Sequence, residues 1–103
     1  MPKFIIAYHG GAKPATQEEG MAHMQKWKSW IAGLGDDVIN PGTPLGKSKT
    51  ISADGVKDAQ NGMNGYMIVK ADDLEAAIKI AKSDPFLQMK NASVEVAQIV
   101  EMG

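Results

Sequence analysis

Two histidines and no cysteine restrict the side-chain chemistry open to this chain. Without cysteine there is no thiol nucleophile, no zinc–thiolate site and no disulfide. Histidine, with an ordinary pKa of about 6.5, is the side chain suited to moving protons near neutrality. His23 stands in "HMQKWKSW", ahead of Trp27 and Trp30. At 100° per residue it falls about 60° from the centre of an apolar stripe made by Met24, Trp27, Ile31 and Leu34. A histidine at that border either looks into a cavity between helix and sheet, as a general acid or base, or packs against indole as an ordinary border residue. As a base it needs a partner that fixes its tautomer. Asp54 supplies one if its loop folds back over the cavity, whereas Asp36 and Asp37 suit the start of the next strand.

The other histidine opens "HGGAKP" at the end of an apolar run. Consecutive glycines free backbone N–H groups that can cradle an anion. A phosphate loop also needs Gly-Lys-Ser/Thr and a helix directly behind it, and neither follows here. The simpler reading is a strand-to-helix turn at positive φ, with His9 on a pocket rim. No His-x-His or His-x₃-His pair is present, so no metal site is expected, and no motif calls for a cofactor. Trp27 and Trp30 can stack an aromatic ligand or fill a core, each N–H seeking a partner. Tyr8 and Tyr66 are further candidates for a pocket wall; alternation leaves Tyr66 facing either the cavity or the helices.

With 103 residues the chain has room for one core and one domain, 1–103. The 11 basic and 12 acidic residues give a net charge of −1, and every basic residue is lysine. A neutral chain without arginine lacks the basic stripe of a nucleic-acid binder. The apolar run in "MPKFIIAYHGG" is too short for a signal-peptide core and far too short to span a bilayer. No membrane association is expected, and the cytoplasm is the expected location.

The elements that must position these side chains are legible from pattern. "KFIIAY" reads as a buried strand. "TQEEGMAHMQKWKSWIAGLG" reads as a helix, capped by Thr16 with Glu19 at the box spacing and ended by Gly33 and Gly35. "DDVIN" is a short strand broken by Pro41-Gly42. An alternating piece at Thr50–Ala53 and an Asp54-Gly55 turn sit in an otherwise polar stretch, and Ser52 to Asn64 reads as an exposed loop, a lid or a passive connection. "GYMIVKA" is a strand. "DDLEAAIKIAKSDP" is a helix capped by Asp72 with Glu75, with Leu74, Ala77, Ile78 and Ala81 as its stripe and Pro85 as its stop. "SVEVAQIVEM" closes the chain as a strand.

The order β-α-β-(β)-β-α-β predicts an α+β fold, the ferredoxin-like split βαβ arrangement, with two helices on one face of an antiparallel sheet. Val94, Val96, Val100, Tyr66 and Ile68 exceed what two helices can bury. A second copy is the expected cover for the open face, giving a homodimer.

The segments "GYMIVKADDLEAAIKIAKSDPF…SVEVAQIVEM", "PGTPLGKSKTISADG" and "MPKFIIAYHGG" together resemble the YCII-related (DGPF-type) domain family over nearly the whole chain. The resemblance implies a dimeric α+β barrel, two ferredoxin-like subunits packed sheet to sheet around a cavity. It also implies a histidine and an aspartate near that cavity, and chemistry on small cyclic, lactone-like or aromatic compounds. The family's Asp-Gly-Pro-Phe signature is reduced here to Asp54-Gly55 followed by Val56-Lys57, and no aspartate stands just after Pro41-Gly42.

Two functions follow. In the first, an isomerase- or lyase-type enzyme acts on a small cyclic or carbonyl-bearing compound. His23 moves the proton, Asp54 orients it, and Tyr8, His9, Trp27, Trp30 and Tyr66 form the pocket. In the second, the same cavity serves a non-catalytic ligand-binding or regulatory dimer.

Overall fold

The computed structural model of the chain describes residues 1–11, 15–59 and 62–102. Its elements are β1 (Lys3–His9), α1 (Gln17–Leu34), β2 (Val38–Asn40), β3 (Lys49–Ser52), β4 (Gly55–Asp58), β5 (Met63–Lys70), α2 (Leu74–Lys82) and β6 (Ser93–Gln98). Short 3₁₀ turns, Gly35–Asp37 and Pro85–Gln88, follow the two helices. β2, β5, β1 and β6 lie side by side in that order, every neighbour antiparallel. This is the ferredoxin-like split βαβ sheet, with both helices on one face. Among the described residues no helix is long and apolar enough to cross a membrane.

Alternation along the strands decides what each face carries. Phe4, Ile6 and Tyr8 of β1 point to the helices with Met67 and Val69 of β5, and all five are buried. Each such side chain contributes about 1.5–3 kcal/mol on leaving water. Trp30, Ile31 and Leu34 of α1 and Ala76, Ala77, Ile80 and Ala81 of α2 close over them. Cross-strand pairing places Val94 opposite Tyr8 and Val96 opposite Ile6. Both valines therefore pack under the helices and are not part of the open face. That face carries Ile5 paired with Ile68 and Ala7 paired with Tyr66. Val100 lies beyond β6 and is exposed.

The helices start where capping chemistry puts them, with one shift. Thr16 Oγ1 accepts the Glu19 N–H at 3.1 Å, and Glu19 Oε2 accepts the N–H of Ala15. The second cap is Asp73, one residue later than expected, its Oδ1 taking the Ala76 N–H at 2.8 Å. On α1 the expected Trp27, Ile31 and Leu34 are half-buried together with His23 and Trp30, and Met24 alone of the stripe is exposed. On α2 the inward face is rotated: Leu74 and Ile78 are exposed, while Ala77, Ala81 and Ile80 line it. Small alanines let α2 sit close on the sheet, and proximity outweighs side-chain size in choosing the buried stripe.

The stretch read as a loop from Ser52 contains a hairpin. β3 and β4 pair with each other alone, Ser52 against Gly55, joined by the two-residue turn Ala53-Asp54. Gln60 and Asn61 of that stretch lie outside the described residues, as do Ala12, Lys13 and Pro14 of "HGGAKP".

Candidate functional site

The end of β1, the middle of α1 and the end of α2 converge at one end of the sheet. Tyr8, on the last turn of β1 that faces the helices, donates its hydroxyl proton to Asp84 Oδ2 at 2.6 Å, a buried bond between residues 76 apart in sequence. The second oxygen, Oδ1, accepts the N–H of Phe86 at 2.9 Å. Asp84, just past the Ser83 cap of α2, thus caps the 3₁₀ turn behind it and closes against β1 with one side chain. At 2 % exposure it is among the most enclosed residues of the chain. The Phe86 ring stacks on Tyr8 at 4.9 Å, tilted by 58°. Room for that ring comes from Gly11 (φ 83°), where a Cβ would stand 3.1 Å from the Phe86 ring edge.

Helix α1 brings the other half. His23 and Trp27, four residues apart, share its inward face, and Trp27 reaches the Tyr8 hydroxyl. Trp30 Nε1 donates to Ser83 Oγ at 2.8 Å, and Ser83 in turn donates to the Ile80 carbonyl at 2.7 Å. That chain of bonds fastens α1 to the last turn of α2, directly before Asp84. It therefore sets the spacing between His23 and the carboxylate.

Burial pushes the Asp84 carboxyl above the usual carboxylate range; the Tyr8 hydroxyl, the Phe86 N–H and the positive charge of His23 pull the other way. Burial also holds the Tyr8 phenol far above its ordinary value, reinforced by its bond to Asp84 and by the carboxylate's charge, with Trp27 opposing. Tyr8 is accordingly a neutral donor at any working pH. Asp84, enclosed and bonded through both oxygens, is a group that fixes others and does not meet a ligand itself. Half-buried His23 is the titratable group with surface left to do so.

The candidate residues divide between the two faces. Tyr8, His23, Trp27 and Trp30 gather on the helix side. His9 and Tyr66 lie on the open side: Tyr66 pairs with Ala7, and buried His9 has its Nε2 2.9 Å from Oε1 of exposed Glu95. The two histidines thus occupy opposite faces of one sheet. Gly10 and Gly11 both have positive φ, as a rim turn requires, and the Gly10 position leaves no space for a Cβ, which would stand 2.3 Å from the Asn91 carbonyl oxygen. Asp54 sits exposed at the tip of the β3–β4 hairpin, its N–H bonded to Ser52 Oγ at 3.3 Å. The carboxylate on which the charge of His23 acts is Asp84, a residue of the stretch read only as the helix stop at Pro85. Its signal was present: an aspartate before proline at a helix end directs its side chain back onto the chain, and a tyrosine on a core-facing strand position needs an acceptor. A shallow recess bounded by Glu75, Ala76, Ile78, Lys79 and Lys82 shares no residue with this cluster.

Among solved structures, the chain resembles 5-chloro-2-hydroxyhydroquinone dehydrochlorinase (TftG) from Burkholderia phenoliruptrix AC1100, in complex with 2,5-dihydroxybenzoquinone. The match covers 90% of each chain at 16% identity with a TM-score of 0.53. That likeness is one of fold, the subunit fold of the dimeric α+β barrels. No curated protein matches the chain. The family model of the YCII-related domain matches residues 3–103, so that strand, helix, hairpin and the Tyr8–Asp84 closure all fall inside it. The chain belongs to the YCII-related domain family.

Proposed function

We propose that the protein is a small-molecule enzyme of lyase or isomerase type in which His23 carries the proton. The observation that carries this reading is Asp84, buried, held by Tyr8 and by the Phe86 N–H, with the charge of His23 acting on it. A fixed carboxylate orients an imidazole and steadies the imidazolium that forms when it takes a proton. The substrate class is a small cyclic, carbonyl- or hydroxyl-bearing compound. The half-buried rings of Trp27, Trp30 and Phe86 suit a flat ring, and the similar fold of known activity acts on a chlorinated hydroxyhydroquinone. His23 removes a proton from the ring or its hydroxyl, and the electron pair forms a new double bond. The substrate then either expels a leaving group, as in a lyase, or receives the proton back from His23 at another carbon, as in an isomerase.

The enzyme is read as a cytoplasmic homodimer closed through the open sheet face. Ile5, Ala7, Tyr66 and Ile68 supply the apolar surface for that closure. NMR titration of His23 in the wild type and in Asp84→Asn tests the chemistry, with 2,5-dihydroxybenzoquinone as the probe ligand. A downward move of the His23 midpoint in Asp84→Asn, with probe-induced shifts at Trp27 and His23, supports the pair. An unchanged midpoint leaves the protein a ligand-binding module, with the histidine incidental.

A further inference from the structure

The β3–β4 hairpin is mounted firmly and touches little. Its base is fixed by the sheet: Gly42 (φ 73°) passes so close to β5 that a Cβ would stand 1.7 Å from the Tyr66 carbonyl oxygen. Leu45 N–H bonds to the Asn64 carbonyl at 2.8 Å, Pro44 bridges to Gly65, and the Asn64 side chain donates to the Gly10 carbonyl. Beyond that base all eight strand residues are exposed. Alternation puts Ile51 and its cross-strand partner Val56 on one face, at 76% and 65% exposure, beside the Lys49–Asp58 ion pair. A lone two-stranded hairpin is marginal in water and needs a surface to pack on.

We infer that this hairpin is an arm that docks its Ile51–Val56 face on a second copy of the same chain. The inference rests on the homodimer reading above and adds a second contact to it. Three observations select another copy as the occupant. The arm leaves the sheet against the backbone of Tyr66, itself part of the open face, so arm and face form one continuous uncovered surface. The molecule is 19 Å in its shortest dimension, one sheet and one helix layer of about 10 Å each, so among the described residues no further layer covers that side. Its radius of gyration, 14.8 Å, exceeds the roughly 13 Å of a compact chain of this length, as a projecting arm requires. A two-fold axis lets both arms and both faces be covered at once, whereas a one-way contact would leave one of each open and propagate. Lys49 and Lys57 on the hairpin strands discourage edge-to-edge pairing and leave the apolar face as the docking element.

Analytical ultracentrifugation of the wild type, of Ile51→Ser/Val56→Ser and of the open-face variant Ile68→Asp separates the two readings. Because Ile51 and Val56 are exposed on the arm, the serine variant keeps the fold, checked by its amide NMR spectrum. The expected result is a wild-type dimer whose dissociation constant rises at least about a hundredfold in the serine variant. In parallel, isotope-filtered NOE spectra of a mixed-label dimer place the Ile51 and Val56 methyls against protons of the other copy. A dimer broken by Ile68→Asp but unchanged by the serine pair, without those intermolecular NOEs, overturns the arm and leaves the sheet-face dimer standing. A wild type that stays monomeric at high concentration overturns both.

Discussion

Replacing Tyr8 by phenylalanine removes one buried oxygen and leaves the ring stack with Phe86 in place. The lost bond is short, at 2.6 Å, and its acceptor is 2 % exposed, so water cannot replace the donor. Asp84 keeps the Phe86 N–H on its other oxygen. A buried hydrogen bond to an ionised group is worth about 1.5–3 kcal/mol, against about 1 kcal/mol when both partners are neutral. The loss therefore depends on whether Asp84 is ionised. The Tyr8 bond favours the carboxylate, so its full contribution is present above the Asp84 midpoint and shrinks as pH falls through it. Urea unfolding of both proteins at pH 8.5 and pH 4 reads this directly. Tyr8→Phe should lose about 2 kcal/mol at pH 8.5, near 10 °C in Tm for a chain of this size, and roughly half that at pH 4. A loss below about 0.5 kcal/mol at pH 8.5, or an equal loss at both pH values, would show that the phenol and the carboxylate are not coupled as described.

Asp84→Asn removes a charge that burial disfavours. Since the folded carboxyl lies above its unfolded value, its contribution is fully present at low pH and is lost as pH rises through the folded midpoint. The variant should thus gain on the wild type between pH 4 and pH 8, by about 1.4 kcal/mol per unit of displacement, and parallel stability curves would contradict this. Gly42→Ala should cost at least about 3 kcal/mol, because backbone and not a side chain stands in the way. Gly33→Ala, on a helix with open space around it, should gain about 0.5–1 kcal/mol, and thermal melts of the pair test the contrast. Trp30→Phe keeps the ring but releases Ser83, and should cost about 1 kcal/mol while broadening the His23 and Trp27 NMR signals. Unchanged signals would mean that the helix-to-helix bond does not hold the site.

Element order, the Thr16 cap and the split βαβ arrangement were legible because each rests on local signals: period-2 runs, period-3.6 stripes and box spacings. The faces were less so. Val94 and Val96 looked surplus because apolar character alone does not say which side of a strand is buried, and only the pairing with Tyr8 and Ile6 decides it. The α2 stripe rotated because alanine packs closely where leucine would not. His23, Trp27 and Trp30 stood out through their spacing on one helix. Asp84 did not, because its meaning comes from a residue 76 positions away, and no local pattern carries that distance. The hairpin was half visible: Thr50–Ala53 alternates and a turn was expected at Asp54-Gly55, one residue later than the Ala53-Asp54 turn observed, but Gly55–Asp58 has too little apolar character to declare itself a strand.

The bond that joins Tyr8 to Asp84 also makes the site a late arrival in folding. Neither the first strand nor the second helix holds any part of it in working order alone; the loop between them must close first, and the entropy of that closure is spent before the contact repays it. The same aspartate is tied to the end of α2 by its backbone N–H on the Ala81 carbonyl and starts the next turn through its side chain, so any opening that frays the end of α2 also releases the tyrosine. Local fraying and loss of the site are then one equilibrium. Hydrogen exchange at the Phe86 amide should report the fraction of molecules in which the site is intact, with no ligand needed.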